Sequence, residues 1–398
     1  MTLNEILTAA VQKGASDVHL KAGLVPVIRK HGKLRPLFAE HPPLSNTDLE
    51  QMISEIMDEE QTKAFRVRKE LDLGYGVSGL GRFRVNIFRQ RGTIRLVIRN
   101  VPHKVPTLKE LNMPEIVSSL TKLERGLVLV TGVTGSGKSS TLAAMIDQMN
   151  AERNLHILTI EDPIEYLIRD RKSIVSQREL GHDTISFSSA LRSALRQDPD
   201  VILIGEMRDR ETIEIALTAA ETGHLVLSTL HTVDAVETIN RILSTFEPHQ
   251  HQQIRLQLGS VLKAIVSQRL ATKADRSGFV PAVEVMINNV RSREMIETPA
   301  RTREIIKVIE ESRETFGMQS FDQHLTELVL NKVIEYDEAL LLSTNPENFA
   351  LKFRGIQSGR DQWASKQQQG SWGDATNKFE LDDEDYESEE VPKKKVRR

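Results

Sequence analysis

The chain has 398 residues and a formal charge of -3, with 53 Lys and Arg against 56 Asp and Glu and no cysteine. At roughly 150 residues per domain, that length predicts two or three domains with a substantial buried core. The missing cysteine excludes disulfides, thiolate zinc sites, iron–sulfur clusters and a thiol nucleophile, the charge excludes an overall basic coat for nucleic acid, and no apolar run approaches the roughly 18 residues that span a bilayer.

From the start of the chain, Leu3, Ile6, Leu7, Ala10 and Val11 recur at helical spacing, predicting a short amphipathic helix that ends near Gly14. Asn4 and Glu5 lie where a secretory signal would be basic and then apolar, so a cytoplasmic location is expected. Residues 25–34 read as two short strands about a His31-Gly32 turn, and 48–68 as one helix with Leu49, Met52, Ile53 and Ile56 on one face. Residues 71–77, 82–90 and 94–99 read as strands. The last two combine Phe83, Val85, Ile87, Ile94, Leu96 and Ile98 with Arg82, Arg84, Arg89, Arg91, Arg95 and Arg99, and a period of two puts much of this charge on one exposed face. Such a face is either solvated or reaches a phosphate on another subunit.

Val101-Pro102-His103-Lys104-Val105-Pro106 predicts an extended linker, since two prolines so close disfavour helix. Beyond it, apolar strands alternate with helical patterns, as in a parallel sheet covered on both sides. Within that region Gly126-Leu127-Val128-Leu129-Val130-Thr131 suits a buried strand. It leads into Gly132-Val133-Thr134-Gly135-Ser136-Gly137-Lys138-Ser139, a full match to G-x-x-x-x-G-K-[ST]. Glycines let backbone N–H groups curl round phosphates, Lys138 neutralises β/γ charge, and the Ser139 hydroxyl ligates magnesium. Ser140 adjoins them, and Leu142, Met145, Ile146 and Met149 stripe the helix that must follow.

Two further strands end in acids. The run 156–160 leads into Glu161-Asp162-Pro163-Ile164-Glu165, a source of carboxylates that could hold magnesium through water. Val201-Ile202-Leu203-Ile204 leads through Gly205 to Glu206, the candidate for polarising an attacking water. A third strand, 225–229, is flanked by His224 and His231. Thr229 and His231 would emerge beside the γ-phosphate, and His224 is read either as structural or as a nucleotide contact.

These segments, together with Ala15-Ser16-Asp17-Val18-His19-Leu20 and Arg196-Gln197-Asp198-Pro199-Asp200, occur in an order that resembles the secretion ATPases of type II secretion and type IV pili over about residues 1–350. The resemblance implies a hexamer. It implies a PAS-like α+β N-terminal domain (1–102), a linker (103–106) and an α/β RecA-like P-loop ATPase domain with C-terminal helices (107–356). The cysteine-free ATPase domain, with no extra N-terminal region, is similar to the branch of type IV pilus retraction ATPases, as is Gly317-Met318-Gln319-Ser320-Phe321-Asp322-Gln323. Where that branch carries A-I-R-N-L-I-R-E, this chain reads Arg291-Ser292-Arg293-Glu294-Met295-Ile296-Glu297-Thr298. The departure leaves open an accessory motor dependent on a paralogous pilus ATPase.

The resemblance further implies ATP and Mg2+ as cofactors, catalytic roles for Glu206, Glu161 and His231, and completion of the neighbour's site by Arg82, Arg95 or Arg99. It implies an inner-membrane platform protein as partner, peripheral membrane association through the pilus machine, and no nucleic-acid partner. A RecA-like DNA motor and an ATP-holding module that does not hydrolyse are the rival classes. From 357 the composition changes to Gln367-Gln368-Gln369, an acidic run at 380–390 and a basic end at 393–398, an expected disordered tail.

Overall fold

The computed structural model describes residues 1–30, 32–101 and 104–355. The expected turn residue His31, the centre of the linker at Pro102 and His103, and the tail from 357 lie outside the described residues. Met1–Pro346 form one compact unit, and the described residues 347–355 belong to a second, in which the Phe349 and Phe353 rings stack 6.1 Å apart. No helix among the described residues is long and apolar enough to cross a membrane.

The N-terminal part of the first unit is an antiparallel sheet with helices. Helix α1 (Leu3–Gln12) starts at Thr2, whose hydroxyl accepts from Glu5 N while the Glu5 carboxylate accepts from Thr2 N. Strands β1 (Asp17–Lys21), β2 (Val27–Lys30) and β3 (Lys33–Pro36) follow. The single helix expected over 48–68 is two, α2 (Asn46–Ile56) and α3 (Glu59–Arg68). The break falls at extended Met57 because Asp58 caps the second helix in a reciprocal pair with Gln61. Strands β4 (Glu70–Val77), β5 (Gly81–Gln90) and β6 (Thr93–Asn100) complete a six-stranded sheet of order β3-β2-β1-β6-β5-β4, every pairing antiparallel. Leu3, Ile6, Leu49, Val85, Leu96 and Ile98 meet in its core. This is the α+β arrangement expected.

Helix α4 (Glu115–Leu120) leads into the second sheet, whose strands alternate with helices: β7 (Gly126–Thr131), α5 (Lys138–Glu152), β8 (His156–Glu161), β9 (Ile174–Glu179), α6 (Phe187–Ala194), β10 (Val201–Ile204), α7 (Arg210–Glu221), β11 (Leu225–Leu230) and α8 (Ala235–Leu243). After α9 (His251–Val261), β12 (Leu262–Thr272) and β13 (Phe279–Ile287) form a hairpin that the strand reading above did not include. Helices α10 (Val290–Glu297), α11 (Ile305–Glu311), α12 (Arg313–Phe316), α13 (Phe321–Leu330) and α14 (Tyr336–Leu342) close the first unit.

The strand order is β13-β12-β7-β11-β10-β8-β9, parallel throughout except β12–β13. Strands β7, β10 and β11 are buried along their whole length, the condition of a sheet covered on both faces. Leu129, Ile202, Ile204 and Val226 face a core shared with α6 to α9, and Val128, Val130, Leu203 and Leu227 face one shared with α5. All C-terminal strand ends from β7 to β8 therefore meet at one edge, where ligands bind in open α/β sheets.

Candidate functional site: a phosphate-binding edge

At the end of β7 the backbone turns at Gly132 with φ +144°. A Cβ there would lie 2.5 Å from both the Gln268 carbonyl oxygen on β12 and Ser136 Oγ, so the loop closes only around glycine. Gly132→Ala is expected to lower stability by about 1–3 kcal/mol through forced displacement of β12 or the loop, and thermal unfolding should register it as a drop in Tm. Gly137, at φ +93°, starts α5 without a side-chain cap, which leaves the first helical N–H groups for an anion. Gly135 is also left-handed, Ser136 is buried under the loop, and Val133, Thr134 and Ser139 are exposed.

Lys138 is 8% exposed, and its Nζ donates to the Gly132 and Val133 carbonyls at 2.9 and 3.0 Å. Burial lowers its pKa, and the Glu206 carboxylate pulls the other way. The ammonium is thus held inside the loop at the place where phosphate oxygens would converge.

Because β11 lies between β7 and β10, its end stands between the P-loop and Glu206. His231 bridges them, with Nδ1 3.5 Å from Thr134 Oγ1 and Nε2 3.3 Å from Glu206 Oε2. Thr229 Oγ1 donates to the Gly205 carbonyl at 2.6 Å and so secures the turn that carries Glu206. Arg208 Nη2 lies 2.7 Å from Glu206 Oε2. Burial alone would raise the Glu206 carboxyl, but the hydrogen bond from Arg208, the charges of His231 and Arg208 and the hydrogen bond from His231 hold it below the usual range. Glu206 is therefore an ionised carboxylate that can orient and deprotonate a water.

Glu161, at the end of β8, accepts from Thr159 Oγ1 at 2.7 Å and Gln177 Nε2 at 3.1 Å, and burial raises its pKa. Ser140 Oγ lies 2.8 Å from the Tyr166 hydroxyl. A cavity of about 500 Å³ joins these groups, lined by Thr134, Lys138, Ser139, Glu161, Glu206 and His231 among others. Its size suits a nucleotide phosphate tail, and its polar groups converge from four strand ends.

Four expected residues lie elsewhere. His224 is a correction: it precedes β11, where its Nδ1 bonds the Ala219 carbonyl at 2.9 Å, at the opposite edge of the sheet from the P-loop. Six residues of strand put roughly 20 Å between it and this cavity, so within one chain it is a helix-terminus contact. Arg82 Nη2 donates to Glu179 Oε2 at 2.9 Å, joining β5 to β9, and Glu179 also accepts from Ile164 N. Arg99 Nε donates to Asp17 Oδ1 at 2.9 Å, across the register pair of β1 and β6. Arg95 lies over the Phe88 ring and donates to Gln90 Oε1. The sequence reading missed Arg208 on Glu206 and Tyr166 on Ser140. The first was detectable as a cation two residues after the strand-end acid, whereas the second joins positions 26 residues apart and had no local signal.

Residues 1–332 match the family described as type II/IV secretion system protein. The chain is 45% identical over 349 residues to the type IV pilus retraction ATPase PilT of Pseudomonas aeruginosa, covering 88% of this chain and 100% of that protein. It is 39% identical over 366 residues to the type IV pilus ATPase PilU of the same organism, covering 92% and 95%. Among solved structures, the pilus retraction motor PilT with bound ADP superimposes with a TM-score of 0.81 at 42% identity, covering 87% of this chain and 98% of that one.

Proposed function

This chain belongs to the type II/IV secretion system protein family, and from that membership and its phosphate-binding edge we propose that it is an ATP-hydrolysing motor that powers type IV pilus retraction. The observation that carries the reading is the convergence of Lys138, Glu206 and His231 on one cavity behind a complete P-loop. Backbone N–H groups of 132–139 and Lys138 bind the β- and γ-phosphates. Glu206, ionised and steered by Arg208, takes the proton of the attacking water, and His231 aligns Glu206 with Thr134 beside the γ-phosphate.

Magnesium fits this edge, because the Ser139 hydroxyl and the carboxylates of Glu161 and Asp162 offer hard oxygen donors around one cavity. Bound there, it would offset phosphate charge. His224 is not retained as a nucleotide contact.

The working form we infer is a homo-hexamer in which arginines of one N-terminal sheet meet the nucleotide of the next subunit, with Arg82, Arg95 and Arg99 as candidates. Arg82 would exchange its Glu179 partner for phosphate as the two sheets close about residues 102–106. Sequential closure round the ring would act on an inner-membrane platform protein from the cytoplasmic side. An accessory role beside a paralogous motor is supported by the 39% identity to PilU and by Arg291–Thr298 departing from the retraction pattern.

ATP hydrolysis measured against protein concentration, with mass determined in the same solutions, tests the shared site. The rate per subunit should rise as a ring-sized species forms, and Arg82→Ala should lower the rate in the assembled state by about 10-fold or more without unfolding the chain. A rate independent of assembly would overturn the shared site. A well-formed ring that hydrolyses nothing alone but does so with a partner motor would establish the accessory role.

A further inference from the structure

Outside the cavity's lining, Glu284 is a buried carboxylate on β13, 6% exposed, and among the described residues it forms no ion pair. Burying an unpaired carboxylate is costly unless its bonds do something. Its Oε1 accepts from Ala235 N at 2.9 Å, the first residue of α8 and four residues beyond His231. Ser267 on β12 is its register partner. Ser267 Oγ in turn accepts from Thr131 Oγ1 at 3.0 Å, and Thr131 is the residue of β7 immediately before the P-loop. Thr131 and Ser267 are fully buried, and with Glu284 they stand in register on one face of three neighbouring strands.

The segment from His231 to Ala235 is thereby held at both ends. His231 touches Thr134 and Glu206, and Ala235 is anchored to Glu284. We propose that Glu284 is a positioning residue of ATP hydrolysis: by pinning the head of α8 to β13, it sets where His231 stands relative to Glu206 and the P-loop. The proposal rests on the ATPase reading of the site.

The geometry carries a pH signature. Burial pushes the Glu284 carboxyl up to about 7, opposed by the Ala235 N–H, reinforced by Asp234 and again opposed by Arg269 and Ser267. Asp234 faces it from the head of α8 and Arg269 from β12, where the guanidinium stacks on Phe321. From α13, Asp322 acts on Arg269. His324 accepts from Val283 N and is neutral near pH 7, since burial brings its pKa to about 4. Helix α11 presents apolar Ile305, Val308 and Ile309 to the same core. Above its pKa Glu284 is the stronger acceptor for Ala235 N. Below it, a neutral acid bonds that N–H more weakly, and the anchor loosens.

Steady-state ATP hydrolysis by the full chain from pH 6 to 8.5 tests this with wild type, Glu284→Gln and Glu284→Leu. Glu284→Leu, which removes the acceptor, should lower kcat by about 10-fold or more, in line with the cost of a small misplacement, with KM for ATP within about threefold because phosphate binding stays with the P-loop. Glu284→Gln should keep most of kcat at pH 8, since its amide oxygen still accepts from Ala235, and should lose the acid limb near pH 7 that wild type shows. Wild-type kcat from a folded Glu284→Leu protein would overturn the proposal, as would the same acid limb in Glu284→Gln and wild type. If Glu284→Leu does not fold, the Gln profile decides. A wild-type chain with no hydrolysis under any condition would overturn the ATPase reading itself, and this proposal with it.

Discussion

Lys138→Ala is expected to abolish detectable ATP binding while the chain stays folded. The side chain is buried in the loop it serves, with its ammonium held by the Gly132 and Val133 carbonyls. Removing one partner of a desolvated charge contact costs about 2–5 kcal/mol, which is roughly 30- to 5,000-fold in affinity. The loss of fold stability should be small, because the residue begins α5 rather than filling either core. ATP-induced thermal stabilisation provides the measurement: a ligand at about 100 times Kd adds about 2.7 kcal/mol. Wild type should show such a shift and Lys138→Ala none. A wild-type shift in the variant would remove Lys138 from the phosphate site.

Glu206→Gln should separate binding from chemistry. The amide preserves shape and can still accept from Arg208 or His231, so nucleotide affinity should change little. It cannot take a proton at neutral pH, and hydrolysis should fall at least about 10²-fold. Single-turnover measurements with saturating nucleotide will distinguish the two effects, and wild-type turnover would sink the assignment. The pH dependence adds a second check. Since Glu206 is held below the usual carboxylate range by Arg208 and His231 against the effect of burial, it stays ionised as pH falls from 8 to 6. An acid limb near pH 7 must therefore come from another group; burial raises the carboxyls of both Glu161 and Glu284, and loss of the limb in Glu284→Gln assigns it to Glu284.

Gly132 and Arg82 connect these expectations to the fold. The loop that holds Lys138 is shaped by a contact between Gly132 and Gln268 of β12, a strand more than a hundred residues away in the chain. The P-loop's geometry thus depends on the β12–β13 hairpin as well as on its own glycines. Arg82, exposed by its period in the sequence, turns inward to Glu179 and ties the N-terminal sheet to β9. Alternation along a strand says which face a side chain takes, but the partner that approaches that face belongs to another element.

The sequence by itself determined the phosphate loop, the order of buried strands and the acids at their ends. Each of these is local: a glycine pattern, an apolar run, and a polar residue where the run stops. It also determined the helices whose apolar stripes are continuous, although Asp58 divided one of them through a cap that competes with helix continuation. Tertiary structure alone decided which strand stands next to which. Placing β11 between β7 and β10 brought His231 to Glu206 and sent His224 to the far edge, though both histidines flank the same strand. It likewise decided that Thr131, Ser267 and Glu284 form one file, because hydrogen bonds across a sheet join residues by register and not by distance along the chain.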